Sequence, residues 1–203
     1  DTETIREITR YGYDNNGNQI YKATEIIEPI EEWYTETITA FISGEGGDSG
    51  ICFNEYDGFN QLIKTTIGDK TITYAYNGDG LRIRKNVNGA DTVQVWDGDQ
   101  IALELNGAGN VSSKYVRGIN LLYSEDGSRA GARTWYLFNG HGDVVQLTNN
   151  TGSLIKTYDY DAFGNEKNPD PSDTNPFRYC GEYFDKETGT IYLRARYYDK
   201  NVM

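Results

Sequence analysis

The chain has 203 residues, 37% hydrophobic and 13% aromatic, with 17 Tyr, 23 Gly and a formal net charge of −12. Nucleic-acid binding needs clustered Lys and Arg against phosphates, so this acidic balance argues against it. No run of about 18 apolar residues offers a membrane span, and Cys52 and Cys180 alone make no disulfide framework.

Many Tyr and Gly with few Leu and Ala point to half-buried strands joined by tight turns. The expected fold class is therefore all-β, with little or no helix. The start, Asp1-Thr2-Glu3, is no signal peptide. Both it and the end, Tyr198-Asp199-Lys200-Asn201-Val202-Met203, read as cuts through a longer protein.

In chain order, Tyr11-Gly12-Tyr13-Asp14-Asn15-Asn16-Gly17-Asn18 is the first copy of a degenerate repeat. Glu25 to Phe41 is acidic and rich in Ile and Thr, and its β-branched content favours strands. Ser43-Gly44-Glu45-Gly46-Gly47-Asp48-Ser49-Gly50 reads as a flexible loop or linker. Glu55-Tyr56-Asp57-Gly58-Phe59-Asn60-Gln61-Leu62 is the second copy and Tyr74-Ala75-Tyr76-Asn77-Gly78-Asp79-Gly80-Leu81 the third. Their step of about twenty residues is the size of one hairpin with its connection.

Around the third copy, Ile72, Tyr74 and Tyr76 share one strand face. Asn77-Gly78-Asp79-Gly80 turns the chain, and Leu81 and Ile83 share a face of the returning strand, alternating with Arg82 and Arg84. A second hairpin runs from Trp135-Tyr136-Leu137-Phe138 through Asn139-Gly140-His141-Gly142-Asp143 to Val144–Thr148. Asn149-Asn150-Thr151-Gly152 then turns it into Leu154–Tyr158. Tyr158-Asp159-Tyr160-Asp161-Ala162-Phe163-Gly164-Asn165 is the fourth copy. Asn168 to Pro176 is a proline-rich loop, Asp185 to Gly189 a turn, and Ile191 to Tyr198 the strand after it.

Few residues suggest chemistry. His141, the single histidine, sits in a glycine-rich turn with no nearby Ser or Cys in sequence, so it forms no triad. Asp199 with Arg194 and Arg196 is the best catalytic guess, because an Arg beside a carboxylate lowers its pKa. On an extended strand, however, Tyr192, Arg194, Arg196 and Tyr198 would share a face, and Arg stacked between Tyr rings is a structural arrangement.

Asp14, Asn16, Asn18 and Glu25 match positions of a calcium loop, but Gln19 stands where that loop needs Gly. Gly78-Asp79-Gly80 and Gly107-Ala108-Gly109 lack the Gly-Lys-Ser/Thr of a phosphate loop. Trp96, Trp135 and Tyr192 are candidates for stacking on sugar rings, against a default of cross-strand packing. Free, buried thiols are the expected state of Cys52 and Cys180, although sequence alone leaves their pairing open.

An ordered set of motifs carries a resemblance. Tyr56-Asp57 opens it, and Phe138-Asn139-Gly140-His141-Gly142-Asp143-Val144 and Tyr158-Asp159-Tyr160-Asp161-Ala162-Phe163-Gly164-Asn165 follow. Next come Asn175-Pro176-Phe177-Arg178-Tyr179-Cys180-Gly181-Glu182-Tyr183-Phe184-Asp185 and Thr188-Gly189-Thr190-Ile191-Tyr192-Leu193-Arg194-Ala195-Arg196-Tyr197-Tyr198-Asp199. From about Glu55 to Asp199 the chain resembles the RHS repeat-associated core of YD-repeat proteins.

The resemblance implies consecutive antiparallel β-hairpins forming a curved, spiralling sheet, one segment of a shell. Its organisation would be a divergent β segment over 1–42, a Gly-rich loop over 43–50 and a truncated core over 51–203. Family members are secreted or surface proteins, among them polymorphic toxins, wall-associated proteins and teneurins. The implied role is structural: to enclose and help deliver a C-terminal toxin or effector. The partners would be the remaining repeats and that effector, with no catalytic, metal or cofactor-binding residue in this chain. The alternative is a cell-surface module that binds carbohydrate or protein. Lys200 replaces the family's usual Pro, and Met203 precedes its Gly-Arg-Phe element. The aspartic-protease-like self-cleavage site of the family is therefore expected beyond this chain.

Overall fold

The computed structural model describes residues 6–27 and 50–200. They form sixteen strands and one short 3-10 turn. The strands are β1 Arg6–Tyr13, β2 Gln19–Ile27, β3 Gly50–Tyr56, β4 Leu62–Ile67 and β5 Lys70–Tyr76. There follow β6 Arg82–Val87, β7 Ala90–Asp97, β8 Gln100–Asn106, β9 Val111–Arg117 and β10 Leu121–Asp126. Then come β11 Arg133–Phe138, β12 Val144–Thr148, β13 Leu154–Thr157, β14 Tyr183–Asp185, β15 Thr190–Tyr192 and β16 Tyr197–Tyr198. The 3-10 turn is Tyr179–Gly181. The fold is all-β, as the composition implies.

The chain divides into two compact units, one up to Tyr74 and one from Ala75 onward. In the first, β1 pairs with β2, β2 with β3, β3 with β4 and β4 with β5, all antiparallel. The β2–β3 pairing spans residues 28–49, so the strands on both sides of the Gly-rich stretch belong to one ladder. Most of Glu25–Phe41 and the Ser43–Gly50 loop lie outside the described residues. In the second unit β6 to β13 likewise pair in chain order, and β14, β15 and β16 make a separate three-stranded sheet.

One turn design recurs. Its first residue is Asp or Asn at Asp14, Asp57, Asn77, Asn106, Asn139, Asn149 and Asp161. In each, that residue's N–H donates to the carbonyl four residues on, and its carbonyl accepts from the N–H three residues on. Its side-chain oxygen also accepts the N–H groups two and four residues on. The fourth residue takes a positive φ, from 66° at Asn60 to 96° at Gly142, which is why Gly or Asn stands there. The Asp or Asn after the repeat's aromatic residue is thus the cap that closes a hairpin.

The ladder buries one face. Ile72 and Tyr74 of β5 are buried as their alternation requires. On β6 burial does not follow the alternation: Arg82 and Lys85 are buried, while Ile83 and Arg84 are exposed. Arg82 is drawn inward by a buried carboxylate, Asp185, rather than by the apolar alternation. The core of the second unit gathers Ile101, Tyr115, Leu121, Tyr136, Val144, Leu147, Tyr158, Phe177, Tyr183 and Tyr192.

Two further expectations are corrected. Ile191–Tyr198 is a hairpin rather than one strand: Arg194 sits at φ 60°, and Leu193 N–H donates to the Arg196 carbonyl, folding β15 back onto β16. Arg194 and Arg196 therefore do not share a strand face with Tyr192 and Tyr198. Cys180 is exposed and Cys52 half-buried, so neither is a core thiol.

A buried ionic anchor and a thiol–imidazole cluster

Two arrangements in the second unit combine ionisable groups closely enough to act. The first is centred on Arg82, whose side chain is completely buried. Its guanidinium forks onto Asp185 of β14, with Nη1 2.5 Å from Oδ2 and Nη2 3.1 Å from Oδ1. Nε donates to Gln94 Oε1 at 3.2 Å, and Nη1 also reaches the Tyr197 hydroxyl of β16 at 3.2 Å. The Arg82 backbone N–H donates to the Tyr192 hydroxyl of β15 at 2.8 Å, and the Tyr192 ring lies under the guanidinium at 4.3 Å. One arginine on β6 thus touches all three strands of the small sheet.

The network satisfies what it buries. Lys85, three residues on in β6 and also buried, donates to Asp185 Oδ1 and to Glu187, each at 2.9 Å. Gln94 passes the chain to Glu104, which accepts the hydroxyls of Tyr115 and Tyr183 at 2.6 Å each. Trp96 Nε1 donates to the Arg82 carbonyl at 2.7 Å. Burial alone would push the Arg82 guanidinium down and the Asp185 carboxyl up. Facing each other they reverse this, so Arg82 is held above its ordinary value and Asp185 below. Burial, then the Glu104 carboxylate, pushes the Tyr115 and Tyr183 phenols well up and keeps both as proton donors.

A second buried arginine organises the loop before β14. Arg178 pairs with Glu166 at 2.6 Å and Asp173 at 3.3 Å, donates through Nε to the Asn175 carbonyl, and stacks over Phe184. Tyr158 donates to Asp173, Tyr160 to the Val144 carbonyl, Tyr179 to the Ala162 carbonyl and Tyr198 to the Phe163 carbonyl. Asp159 holds Lys167 at the surface, and Asp161 and Asn165 close the repeat turn. Gly181 and Gly189 take positive φ at the turns flanking β14. In the first unit, Tyr56 reaches the Gln19 carbonyl and Asp57 caps its turn.

The second arrangement joins His141, Asp143 and Cys180. His141 Nδ1 lies 3.0 Å from Asp143 Oδ1, which also accepts the Cys180 backbone N–H at 2.9 Å. Asn139 Nδ2 donates to Asp143 Oδ2 at 2.8 Å. Sequence spacing shows no cysteine near His141; the fold supplies one from 3-10 turn Tyr179–Gly181. Burial, then the Asp143 and Glu182 carboxylates, pushes the Cys180 thiol up. It therefore stays protonated and is no activated nucleophile.

The guessed Asp199 site takes another form: Arg194 forks onto Glu182 at 2.5 and 3.0 Å, and Arg196 is exposed. Asp14, Asn16 and Asn18 are engaged in a repeat turn. Of the aromatics proposed for sugar stacking, Tyr192 is 1% exposed, Trp96 packs edge-on against it, and Trp135 packs against Tyr123. No helix of the described residues is long and apolar enough to cross a membrane.

No family model matches the chain. It is 38% identical to the tRNA3(Ser)-specific nuclease WapA of Bacillus spizizenii over 95% of its own length. It is likewise 38% identical, over 95% of its length, to the tRNA nuclease WapA of Bacillus subtilis strain 168. It spans 9% of each of these relatives. Among solved structures, the crystal structure of TcdB2-TccC3-TEV superposes on 96% of this chain and 12% of its own at a TM-score of 0.54, with 17% sequence identity. That likeness is one of fold.

Proposed function

The chain belongs to the RHS/YD-repeat family, and from that premise we propose that it is a wall segment of a secreted or cell-surface shell enclosing a C-terminal effector. The observation that carries this reading is the antiparallel pairing of strands in chain order, with one Asx turn recurring at seven places along the chain. Such units add one after another and extend a wall. The buried Tyr rings and the Arg82 anchor suit a scaffold. The role we propose is structural, with the tRNA nuclease activity named for the relatives placed outside the 9% of each that this chain spans. The partners are the other repeats and the effector.

The test is limited proteolysis of the longer parent protein, alone and with Asp185→Ala. Protection of the effector in the parent, lost in Asp185→Ala, is the expected result. An effector digested as fast inside the parent as when isolated overturns the enclosure. Trp96, Trp135 and Tyr192, the aromatics considered for sugar stacking, are packed against neighbouring rings, and the surface-binding reading gains no support from them.

A further inference from the structure

The His141–Asp143–Cys180 cluster has no part in the scaffold reading. One donor atom from each residue, an imidazole nitrogen, a carboxylate oxygen and the thiol sulfur, lies within 4.8 Å of the others. Asp143 is 5% exposed, while the imidazole and the thiol open to solvent. The backbone is committed to this placement. Cys180 sits at φ 53°, a left-handed conformation that non-glycine residues rarely adopt, and that conformation aims its N–H at the same carboxylate. The Cys180 thiol lies in the same cluster, within 4.8 Å of the imidazole nitrogen and the carboxylate oxygen. Two proton-carrying groups therefore converge on one fixed carboxylate.

We infer that His141, Asp143 and Cys180 form a three-ligand site for a borderline-soft divalent cation of the zinc type. Thiolate and imidazole together select such ions over magnesium and calcium, which prefer all-oxygen sets. Three protein ligands leave a fourth tetrahedral position, here facing solvent, for water or another donor. The charges match: a thiolate and a carboxylate neutralise the cation, and the imidazole binds neutral.

Binding is balanced as an exchange. The Cys180 S–H bond breaks, its proton leaves to solvent, and an Sγ–metal bond forms. On binding, the His141 proton that faces Asp143 from Nδ1 is given up to solvent and Nε2 takes one up, so the imidazole stays neutral and its Nδ1 lone pair binds the metal. Asn139, donating to Oδ2, orients the carboxylate from behind. The ion would clip the turn after β11 to the turn before β14.

The probe is Co²⁺, titrated into the full 203-residue chain and displaced with Zn²⁺. One equivalent should bind with a near-ultraviolet thiolate-to-cobalt charge-transfer band, and Zn²⁺ should abolish it. Cys180→Ser should lose the band, and His141→Gln, which removes a direct ligand, should bind at least about tenfold more weakly, the loss that even an outer-shell partner causes. Both side chains are exposed, so both variants should keep the wild-type far-ultraviolet circular dichroism. Cys52→Ser should bind as the wild type does. Zn²⁺ should raise Tm in a concentration-dependent way for the wild type and not for Cys180→Ser. A saturated Co²⁺ spectrum without the thiolate band, or the same band in Cys180→Ser, overturns the site.

Discussion

At the scale of single residues, Arg82 decides more than any apolar side chain. It was legible as a strand residue, in Leu81-Arg82-Ile83-Arg84, but the alternation of apolar and basic residues does not say which face is buried. Arg82 is buried because Asp185 arrives from 103 residues away. No local signal announces that partner. Removing one member of a buried ion pair strands the other, so Arg82→Met should cost about 3–5 kcal/mol in chemical denaturation. The double variant Arg82→Met/Asp185→Leu should lose less than the sum of the singles, with a coupling of about 1–3 kcal/mol. Additive losses would mean the pair is not an energetic unit. The pH dependence has a definite sign. Asp185 is depressed below its ordinary 3.8, so its contribution is present above that value and is lost as pH falls through the folded pKa. The stability gap between wild type and Arg82→Met should therefore narrow in acid.

At the scale of the element, the repeat turns were the most readable feature. An Asp or Asn followed three residues later by Gly or Asn identifies the cap and the left-handed position together. The turn at Asn106 escaped this reading because Gly107-Ala108-Gly109 lacks the flanking Tyr of the other copies, although its hydrogen bonds are the same. The hairpin at Arg194 escaped because a continuous apolar and aromatic run hides a left-handed Arg. The His141–Cys180 juxtaposition was out of reach for the reason Asp185 was: it joins two turns distant in sequence. Two glycines of the common turn allow a clean comparison. A Cβ at Gly152 (φ 79°) meets nothing within 4 Å, whereas one at Gly164 (φ 89°) would lie 2.6 Å from the Tyr179 ring. Gly152→Ala should cost about 1 kcal/mol for the backbone conformation alone. Gly164→Ala should cost clearly more, since Tyr179 must move off the turn it covers. Equal Tm losses would show that this ring contributes nothing there.

At the scale of the whole molecule, the all-β class and the succession of hairpins were written in the composition and in the turn spacing. The separate three-stranded sheet was not, because its strands are short and packing against buried charge, rather than apolar periodicity, holds them in place. The strand order also bears on time. Within β1–β5 and within β6–β13 each strand pairs with its predecessor, which gives low contact order, so each hairpin can form as soon as its own residues exist, early in synthesis or refolding. The Arg82–Asp185 bond is the exception, closing a loop of about a hundred residues whose entropy must be overcome before the contact is rewarded. Until then Arg82 remains hydrated and the growing edge stays open. The anchor then acts as a completion step, a latch that sets only when the last strands have arrived. Refolding kinetics should show it: Arg82→Met should speed unfolding and leave the folding rate nearly unchanged, whereas a proportionate slowing of folding would place the anchor in the nucleus instead.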